Sequence, residues 1–185
     1  MPIEPETKSW TWVLERKCEE CGFDTRSFPS SALAGLLREV GDPWPELLGH
    51  PLARVRPNES TWSALEYGCH VRDALRLGTY RVGLMLNEDN PQFANWDQDE
   101  TAVSDHYELQ DPAVVAEEIT AAAGELADLY ETVGDDQWNR PGVRSDGAPF
   151  TVDSFGRYFL HDPFHHIFDV RRGYTSLGES SSSFA

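Results

Sequence analysis

The chain has 185 residues, which is enough for one domain with a well-packed core and short for two. Its 32 acidic and 15 basic side chains give a formal net charge of −17, which would repel nucleic-acid phosphates and anionic lipids. No apolar run is long enough to cross a membrane, and the acidic N-terminus lacks the apolar core of a signal peptide. We therefore expect a cytoplasmic protein that binds neither nucleic acid nor membrane.

Residues 1–29 are predicted to form an N-terminal arm with a Cys-x-x-Cys turn. Residues 10–14 alternate and include two tryptophans, which predicts a short strand or an extended arm over the remaining fold. Cys18 and Cys21, followed by Gly22, have the form of one half of a zinc knuckle, in which glycine supplies a positive φ. Because no second Cys-x-x-Cys follows, three interpretations stay open: two free thiols in a turn, a structural metal site, and a redox or disulfide pair.

Two helical regions are predicted in the next part of the chain. A serine cap precedes a first helix over residues 32–40, and the Gly-Asp-Pro sequence at 41–43 should break it before a short further piece. The second long helix is predicted from about residue 63 to residue 86, because its apolar residues recur at helical spacing. Ser63 can cap this helix, with Glu66 in its first turn.

The connection after this helix is long for a compact domain. It covers residues 87–111 and contains Trp96 among acidic residues. Loops of this length are commonly functional or disordered, and the aromatic residues favour a packed loop that covers a site.

A third and a fourth helix follow. The third starts with Asp111 as its cap and Pro112 as its first residue, and it ends before Gly134. A short hairpin or loop then leads to a fourth helix over about residues 152–172. Pro163 removes a backbone donor inside this helix, which predicts a kink.

These elements predict an all-α protein built as a four-helix bundle. The bundle occupies residues 30–175, with an N-terminal extended arm and a long loop between helices 2 and 3. Residues 176–185 are polar and serine-rich, so they bury too little apolar surface to offset their ordering entropy and are expected to be a disordered tail.

Histidines concentrate in the predicted fourth helix. Three of the six histidines in the chain are His161, His165 and His166. His161 and His165 are four residues apart, so that on a helix both imidazoles can reach one ion. A third ligand must come from elsewhere, and His70 on the second long helix is the best candidate. The alternative for His70 is a buried histidine that is hydrogen-bonded to a neighbour.

Taken together, the segment around His70 in the second helix and the segment around His161 in the fourth resemble the DinB/YfiT-like superfamily. The residues that carry the resemblance are Trp62, Ser63, Glu66, Tyr67 and His70 in the second helix and His161, His165, His166 and Asp169 in the fourth. Members are four-helix bundles whose site takes one ligand from the second helix and an i, i+4 pair from the last. The resemblance covers about residues 30–173.

The resemblance implies that His70, His161 and His165 bind a divalent ion, with zinc first and nickel or manganese as alternatives. It also implies a transferase that activates a low-molecular-weight thiol for attack on a small electrophile, as in mycothiol-dependent maleylpyruvate isomerases, and a homodimer.

The chemistry of such a site can be stated from the residue types. Three imidazoles leave a position on the ion open, where a bound thiol loses its proton near neutral pH. Asp73 and Asp169 are candidates to orient an imidazole or accept this proton, and Arg72 to hold a substrate carboxylate. Trp96 and Tyr158 are assigned to binding the thiol. The alternative for Asp73, Asp169 and Arg72 is ordinary ion pairs.

Two further functions stay open. The segment His161-Asp162-x-x-His165 has the form of the H-E-x-x-H metallohydrolase motif with a shorter acid, which would reach the attacking water poorly. The other is a non-catalytic metal-binding stress protein. His166 is expected to point away from the ion and to hydrogen-bond another partner.

Overall fold

The computed structural model describes residues 10–178. Residues 1–9 of the expected arm and residues 179–185 of the expected disordered tail lie outside this part. No helix within the described residues is both long and apolar enough to cross a membrane.

Helices dominate the described fold, and the predicted four-helix bundle is confirmed. Two short helices face three long helices, and the first of the long helices packs against both of the others. The α-helices are α1 (Leu33–Glu39), α2 (Trp44–Gly49), α3 (Ala64–Asn87), α4 (Gln98–Ser104), α5 (Pro112–Glu131) and α6 (Val152–Ser176). The core between them is aliphatic and aromatic, with fully buried side chains such as Leu65, Leu75, Ile119, Leu126 and Phe155.

The long helices begin at the caps that the sequence predicts. Ser63 and Glu66 form a reciprocal capping box at the start of α3. Asp111 accepts hydrogen bonds from the backbone N–H groups of residues 113 and 114 at the start of α5. At the start of α6, Thr151 and Ser154 cap each other in the same reciprocal way. Each cap satisfies backbone donors that have no partner within the helix, which fixes where the helix begins.

The start of the described chain differs from the expected strand or extended arm. Thr11–Leu14 forms a 3-10 helix, in which the Val13 N–H donates to the Trp10 carbonyl oxygen at 3.1 Å. This turn buries Val13, which is only 1% exposed, while the neighbouring tryptophan rings lie beside α6. Burial of Val13 therefore takes precedence over the alternating pattern.

The connection between α3 and α5 is ordered over the described residues. It contains α4 and a 3-10 helix over Tyr107–Leu109, in which Tyr107 is fully buried. The expected hairpin before α6 is also present, with β1 (Pro141–Val143) antiparallel to β2 (Pro149–Thr151). The hairpin is fastened to the connection by the Phe93 N–H, which donates to the Val143 carbonyl oxygen at 2.8 Å.

Pro163 does not end the last helix. The helix α6 continues without interruption from Val152 to Ser176, so the histidines on both sides of Pro163 belong to one element. Pro163 itself is buried.

The close approach of α6 to α5 and α1 gives a test of the packing. A Cβ at Gly156 would lie 2.7 Å from Tyr130 Cζ and 3.0 Å from Leu33 Cδ1. Because Tyr130 is buried and cannot move aside freely, Gly156→Ala is expected to lower the free energy of unfolding by about 1–3 kcal/mol. Urea unfolding followed by circular dichroism measures this change.

The matched control is Gly124→Ala on α5, where a Cβ would have no neighbour within 4 Å. Alanine is the better helix former, so the control is expected to gain up to about 1 kcal/mol. Equal stability of the two variants would contradict the described packing.

Candidate metal centre

Helix α6 presents two pairs of possible ligands at the same spacing. His161 and His165 form one i, i+4 pair, and Asp162 and His166 form the other. Since successive residues on an α-helix point about 100° apart, the two pairs face different directions. Each pair meets a different part of the fold, and the described residues contain two groups of ligand atoms.

The first group, here called the Cys2His2 cluster, consists of Cys18, Cys21, His161 and His165. Their ligand atoms all lie within 4.8 Å of one another. Cys18 Sγ lies 3.7 Å from His165 Nδ1, and Cys21 Sγ lies 3.6 Å from His161 Nε2. The group therefore joins the N-terminal segment to α6 across about 140 residues of sequence.

Aromatic rings enclose this cluster. The Trp10 ring lies 5.5 Å from the His161 ring and 5.0 Å from the His165 ring, measured between centroids. Burial, together with the neighbouring Cys18, raises the pKa of Cys21 to about 11, although backbone N–H groups oppose the shift. Burial and the adjacent His165 lower the pKa of His161 to about 4. Both histidine side chains are thus held in the neutral form that binds metals, because burial also lowers the pKa of His165.

The second group, here called the His-Asp-His cluster, consists of His70, Asp162 and His166. His70 comes from α3, and the other two come from α6. His70 Nε2 lies 3.4 Å from Asp162 Oδ2, and His166 Nε2 lies 3.5 Å from Asp162 Oδ1. The three side chains therefore converge from two helices on one small volume.

The donors of this cluster fit a divalent cation. Asp162 Oδ2 is buried and forms no hydrogen bond with any residue in the range 10–178, although His70 Nε2 is near. An unsatisfied buried carboxylate oxygen is costly, and a cation would remove that cost. Nitrogen and oxygen ligands at zinc distances and tetrahedral angles lie roughly 3.4 Å apart, which matches the observed separation.

Asp169 contacts His166 of the His-Asp-His cluster through the ring nitrogen that does not face Asp162. Its Oδ2 lies 3.1 Å from His166 Nδ1, which leaves His166 Nε2 to face the cluster. Its Oδ1 accepts a hydrogen bond from Arg172 Nη2 at 2.8 Å. Burial opposes charge on His166, but Asp162 and Asp169 outweigh it and raise the pKa of His166 to about 10. Without an ion His166 therefore carries a second proton, which a cation bound at Nε2 would displace, and Asp169 would then fix the tautomer and orientation of the ring.

Two tryptophans enclose His70. The Trp96 ring stacks on it with centroids 5.4 Å apart and an angle of 10°, and the Trp62 ring lies at 5.5 Å. Trp96 is itself held by its indole N–H, which donates to Thr101 Oγ1 at 2.9 Å. The long connection thus places Trp96 against the cluster.

The three histidines predicted as one ligand set divide between the two groups. The structure brings His161 and His165 together, but it does not bring His70 to them. It places His70 beside His166 and Asp162, which sequence reasoning had assigned to other roles. The signal for them was present, because Asp162 and His166 have the same i, i+4 spacing as His161 and His165.

Arg72 and Asp73 lie in a separate ion-pair network. Arg72 donates to Asp73 at 2.8 Å, to Glu118 at 2.9 Å and to Gln110 at 2.6 Å. Asp73 also accepts a hydrogen bond from Tyr107 Oη at 2.6 Å. These contacts join α3 to α5 and to the connection, and they correspond to the alternative of ordinary ion pairs.

Tyr158 lies one helical turn before Asp162 and is half-buried. Its hydroxyl oxygen accepts a hydrogen bond from Arg144 Nη1 at 2.8 Å. It also lies within electrostatic range of Asp162 and of Arg81. Its hydroxyl therefore connects the hairpin arginine to the surroundings of the His-Asp-His cluster.

Fold and ligand groups together define a helical bundle with candidate metal sites between its last helix and its neighbours. A family model described as the DinB superfamily matches residues 46–168, which is more than half of the chain. The chain therefore belongs to the DinB superfamily. No match was found among curated proteins.

Two solved structures share the fold. YfiT from Bacillus subtilis, described as a probable metal-dependent hydrolase with an unusual four-helix bundle topology, is 19% identical with a TM-score of 0.74. The match covers 84% of this chain and 93% of YfiT. The mycothiol-dependent maleylpyruvate isomerase is 9% identical with a TM-score of 0.62, and the match covers 77% of this chain and 61% of the isomerase chain.

The contact between Asp169 and His166 can be tested by metal affinity. Replacing Asp169 with Asn removes the charge that orients His166, and it is expected to weaken divalent-metal binding about 10–100-fold. The dissociation constant is measured by competition with a chelating dye in the Cys18→Ser/Cys21→Ser background, so that the His-Asp-His cluster is observed alone.

Asp153→Asn is the matched control. Asp153 is on the same helix and pairs with Arg157 at 2.9 Å, away from both clusters. An equal loss of affinity in both variants would contradict the role of Asp169.

Proposed function

We propose that the chain is a metal-dependent enzyme that transfers a low-molecular-weight thiol, such as mycothiol, to a small electrophile. The observation that carries the proposal is the His-Asp-His cluster, in which Asp162 lies between two imidazoles and has one buried oxygen that accepts no hydrogen bond from any described residue. His70, Asp162 and His166 would hold the ion, with zinc as the first choice and nickel or manganese as alternatives. The proposal replaces His161 and His165 in the ligand set predicted from sequence.

Three protein ligands are the number found at catalytic rather than structural zinc sites. A divalent ion held by them supplies a Lewis acid that lowers the pKa of a thiol or a water molecule at the remaining position. Asp169 is a positioning residue, because it holds the His166 ring through Nδ1. Trp96 and Trp62 exclude water from the His70 side, which strengthens electrostatic interactions there.

An anionic group of the electrophile has a candidate partner in Arg81. This arginine is 8% exposed and donates to the Ala94 carbonyl oxygen at 3.0 Å. Within residues 10–178, no carboxylate lies within ion-pair distance of its guanidinium. A buried cation without an anion is costly, and a substrate carboxylate would remove the cost.

Arg81 and Tyr158 lie within electrostatic range of each other, and Tyr158 is in turn within range of Asp162. We therefore assign the carboxylate-binding role predicted for Arg72 to Arg81, because Arg72 already has acidic partners. Tyr158 retains its assignment to binding of the thiol or the electrophile.

Metal-dependent hydrolysis is the second candidate. Two histidines and one carboxylate form the ligand set of several zinc hydrolases, and this set is the observation that favours it. Asp162 cannot serve as the general base of an H-D-x-x-H motif here, since both its oxygens face His70 and His166. A hydrolase would therefore need another base. The non-catalytic metal-binding protein is the third outcome.

The test is thiol-linked proton release. Calorimetric titration with mycothiol, bacillithiol, glutathione and coenzyme A, in buffers of different ionisation enthalpy, reports whether binding releases a proton. We expect release with one of these thiols in the metal-loaded protein. It should be absent in His70→Ala and His166→Ala, which should also lose metal because two remaining ligands bind zinc weakly.

His106→Asn is the matched histidine control. His106 is exposed and has a left-handed backbone, with φ of 50°, which asparagine tolerates. Full metal occupancy with no thiol-linked proton release would favour hydrolysis or a non-catalytic role. The homodimer, the cytoplasmic location, the domain limits and the identity of the metal stay predictions.

A further inference from the structure

We infer that the Cys2His2 cluster is a second metal site, which binds a structural zinc ion and fastens the N-terminal segment to α6. This inference goes beyond the proposed function, since it concerns other residues and another role. The ligands are Cys18 and Cys21 from the turn after the 3-10 helix and His161 and His165 from α6.

The spacing of the four residues is that of a zinc site. Cys18 and Cys21 have the C-x2-C spacing, and His161 and His165 have the H-x3-H spacing, which together are the ligand pattern of Cys2His2 sites. The second half of the knuckle that the sequence lacks is therefore supplied by a helix about 140 residues later.

The distances agree with one tetrahedral ion. With Zn–S near 2.3 Å and Zn–N near 2.0–2.1 Å, a sulfur and a nitrogen on the same tetrahedral ion lie roughly 3.6 Å apart. The two cross-pairs measure 3.7 Å for Cys18 with His165 and 3.6 Å for Cys21 with His161. Each cysteine sulfur thus lies from a different histidine nitrogen at the separation expected between two ligands of one ion.

The turn that carries the cysteines has the required backbone. Gly22 has a φ of 77°, a conformation that other residues rarely adopt. The Gly22 N–H donates to the Cys18 carbonyl oxygen at 3.0 Å, and the Cys18 N–H donates to the Phe23 carbonyl oxygen at 2.9 Å. These bonds bring the two thiols to the same side of the turn.

Burial decides between a structural ion and a reactive thiol. Cys18 is 1% exposed and His161 is 3% exposed, and the Trp10 ring covers both histidines. A nucleophilic cysteine needs access and an environment that lowers its pKa, but Cys18 is buried and the pKa of the half-buried Cys21 is raised by burial. Four protein ligands, three of them buried, are instead the arrangement of a structural zinc site.

Neighbouring groups support the outer side of the site. His165 Nε2 lies 3.7 Å from Asp169 Oδ2, so a carboxylate faces the nitrogen that does not meet Cys18. Arg157 on α6 donates to the carbonyl oxygens of Thr25 at 2.7 Å and Phe28 at 2.9 Å. Arg157 thus holds the N-terminal segment on α6 after the cysteines, and the ion would hold the turn that carries the cysteines themselves.

The experiment begins with the wild-type chain. We expect protein purified without added metal to contain zinc. After exchange for cobalt, it should show thiolate-to-cobalt charge-transfer absorption, which only a cysteine ligand produces. This measurement does not depend on whether any variant folds.

Variants then assign the ion to the cluster. Cys18→Ser/Cys21→Ser should lose one zinc equivalent and the charge-transfer absorption. His166→Ala, which removes a ligand only from the other cluster, should keep the charge-transfer absorption and the zinc equivalent that is lost on replacing the cysteines. Cys69→Ala is the matched thiol control, because Cys69 is buried on α3 and its Sγ donates to the Tyr107 carbonyl oxygen at 3.8 Å. It should also keep both.

Thermal unfolding gives the structural readout. Removal of zinc by a chelator should lower the Tm of the wild type and of His166→Ala, because the ion binds only the folded state. Cobalt-loaded wild type without thiolate absorption, or a disulfide between Cys18 and Cys21 in the native protein, would overturn the inference. Loss of thiol-linked proton release alone would leave it standing, so its failure and that of the proposed function are distinguishable.

Discussion

The angular geometry of α6 between His161 and Asp169 is the constraint on which the described site depends. Two i, i+4 pairs that start at neighbouring residues point about 100° apart, so they cannot converge on one ion. One pair meets the Cys-x-x-Cys turn, and the other meets His70 on α3. The N-terminal segment and α3 therefore lie on different sides of the same two turns of helix. Each pair of ligands on α6 can reach only one of these two partners.

Buried charge explains why this part of α6 is so closely surrounded. Asp169 is 6% exposed, and Asp162 has an oxygen that is inaccessible to solvent, so both carboxylates need compensation. His166 lies within ion-pair distance of both, and Arg172 adds a hydrogen bond to Asp169. Burial raises the pKa of each carboxyl, but His166 and His70 outweigh it at Asp162, and His166, His165 and Arg172 outweigh it at Asp169. The ionised forms of Asp162 and Asp169 are therefore favoured only with their basic neighbours in place.

The sequence predicts the local elements well because their causes are local. Ser63 and Asp111 mark the starts of two long helices through caps that involve only a few residues. Thr11–Leu14 was misjudged because tertiary burial of Val13 outweighs a short alternating pattern.

The candidate site was predicted only in part, for a physical reason. Which of two neighbouring i, i+4 pairs faces α3 depends on the rotation of α6 about its axis, and packing across the whole bundle sets that rotation. The partner of the Cys-x-x-Cys turn is about 140 residues away, beyond any local pattern. Asp73 follows His70 by three residues on the same face of α3, but it accepts a hydrogen bond from Tyr107, and Arg72 pairs with Glu118, partners that only the fold brings close.

Asp169 lies beside one histidine of each cluster. Its Oδ2 lies 3.1 Å from His166 Nδ1 and 3.7 Å from His165 Nε2, so one oxygen faces a ring from each cluster. Arg172 holds the other oxygen, which limits how far the carboxylate can turn. Fixing the His165 ring through Cys18 therefore also fixes the acceptor that orients His166. The Cys-x-x-Cys turn thus influences the geometry of a histidine in the other cluster through the carboxylate between the two rings.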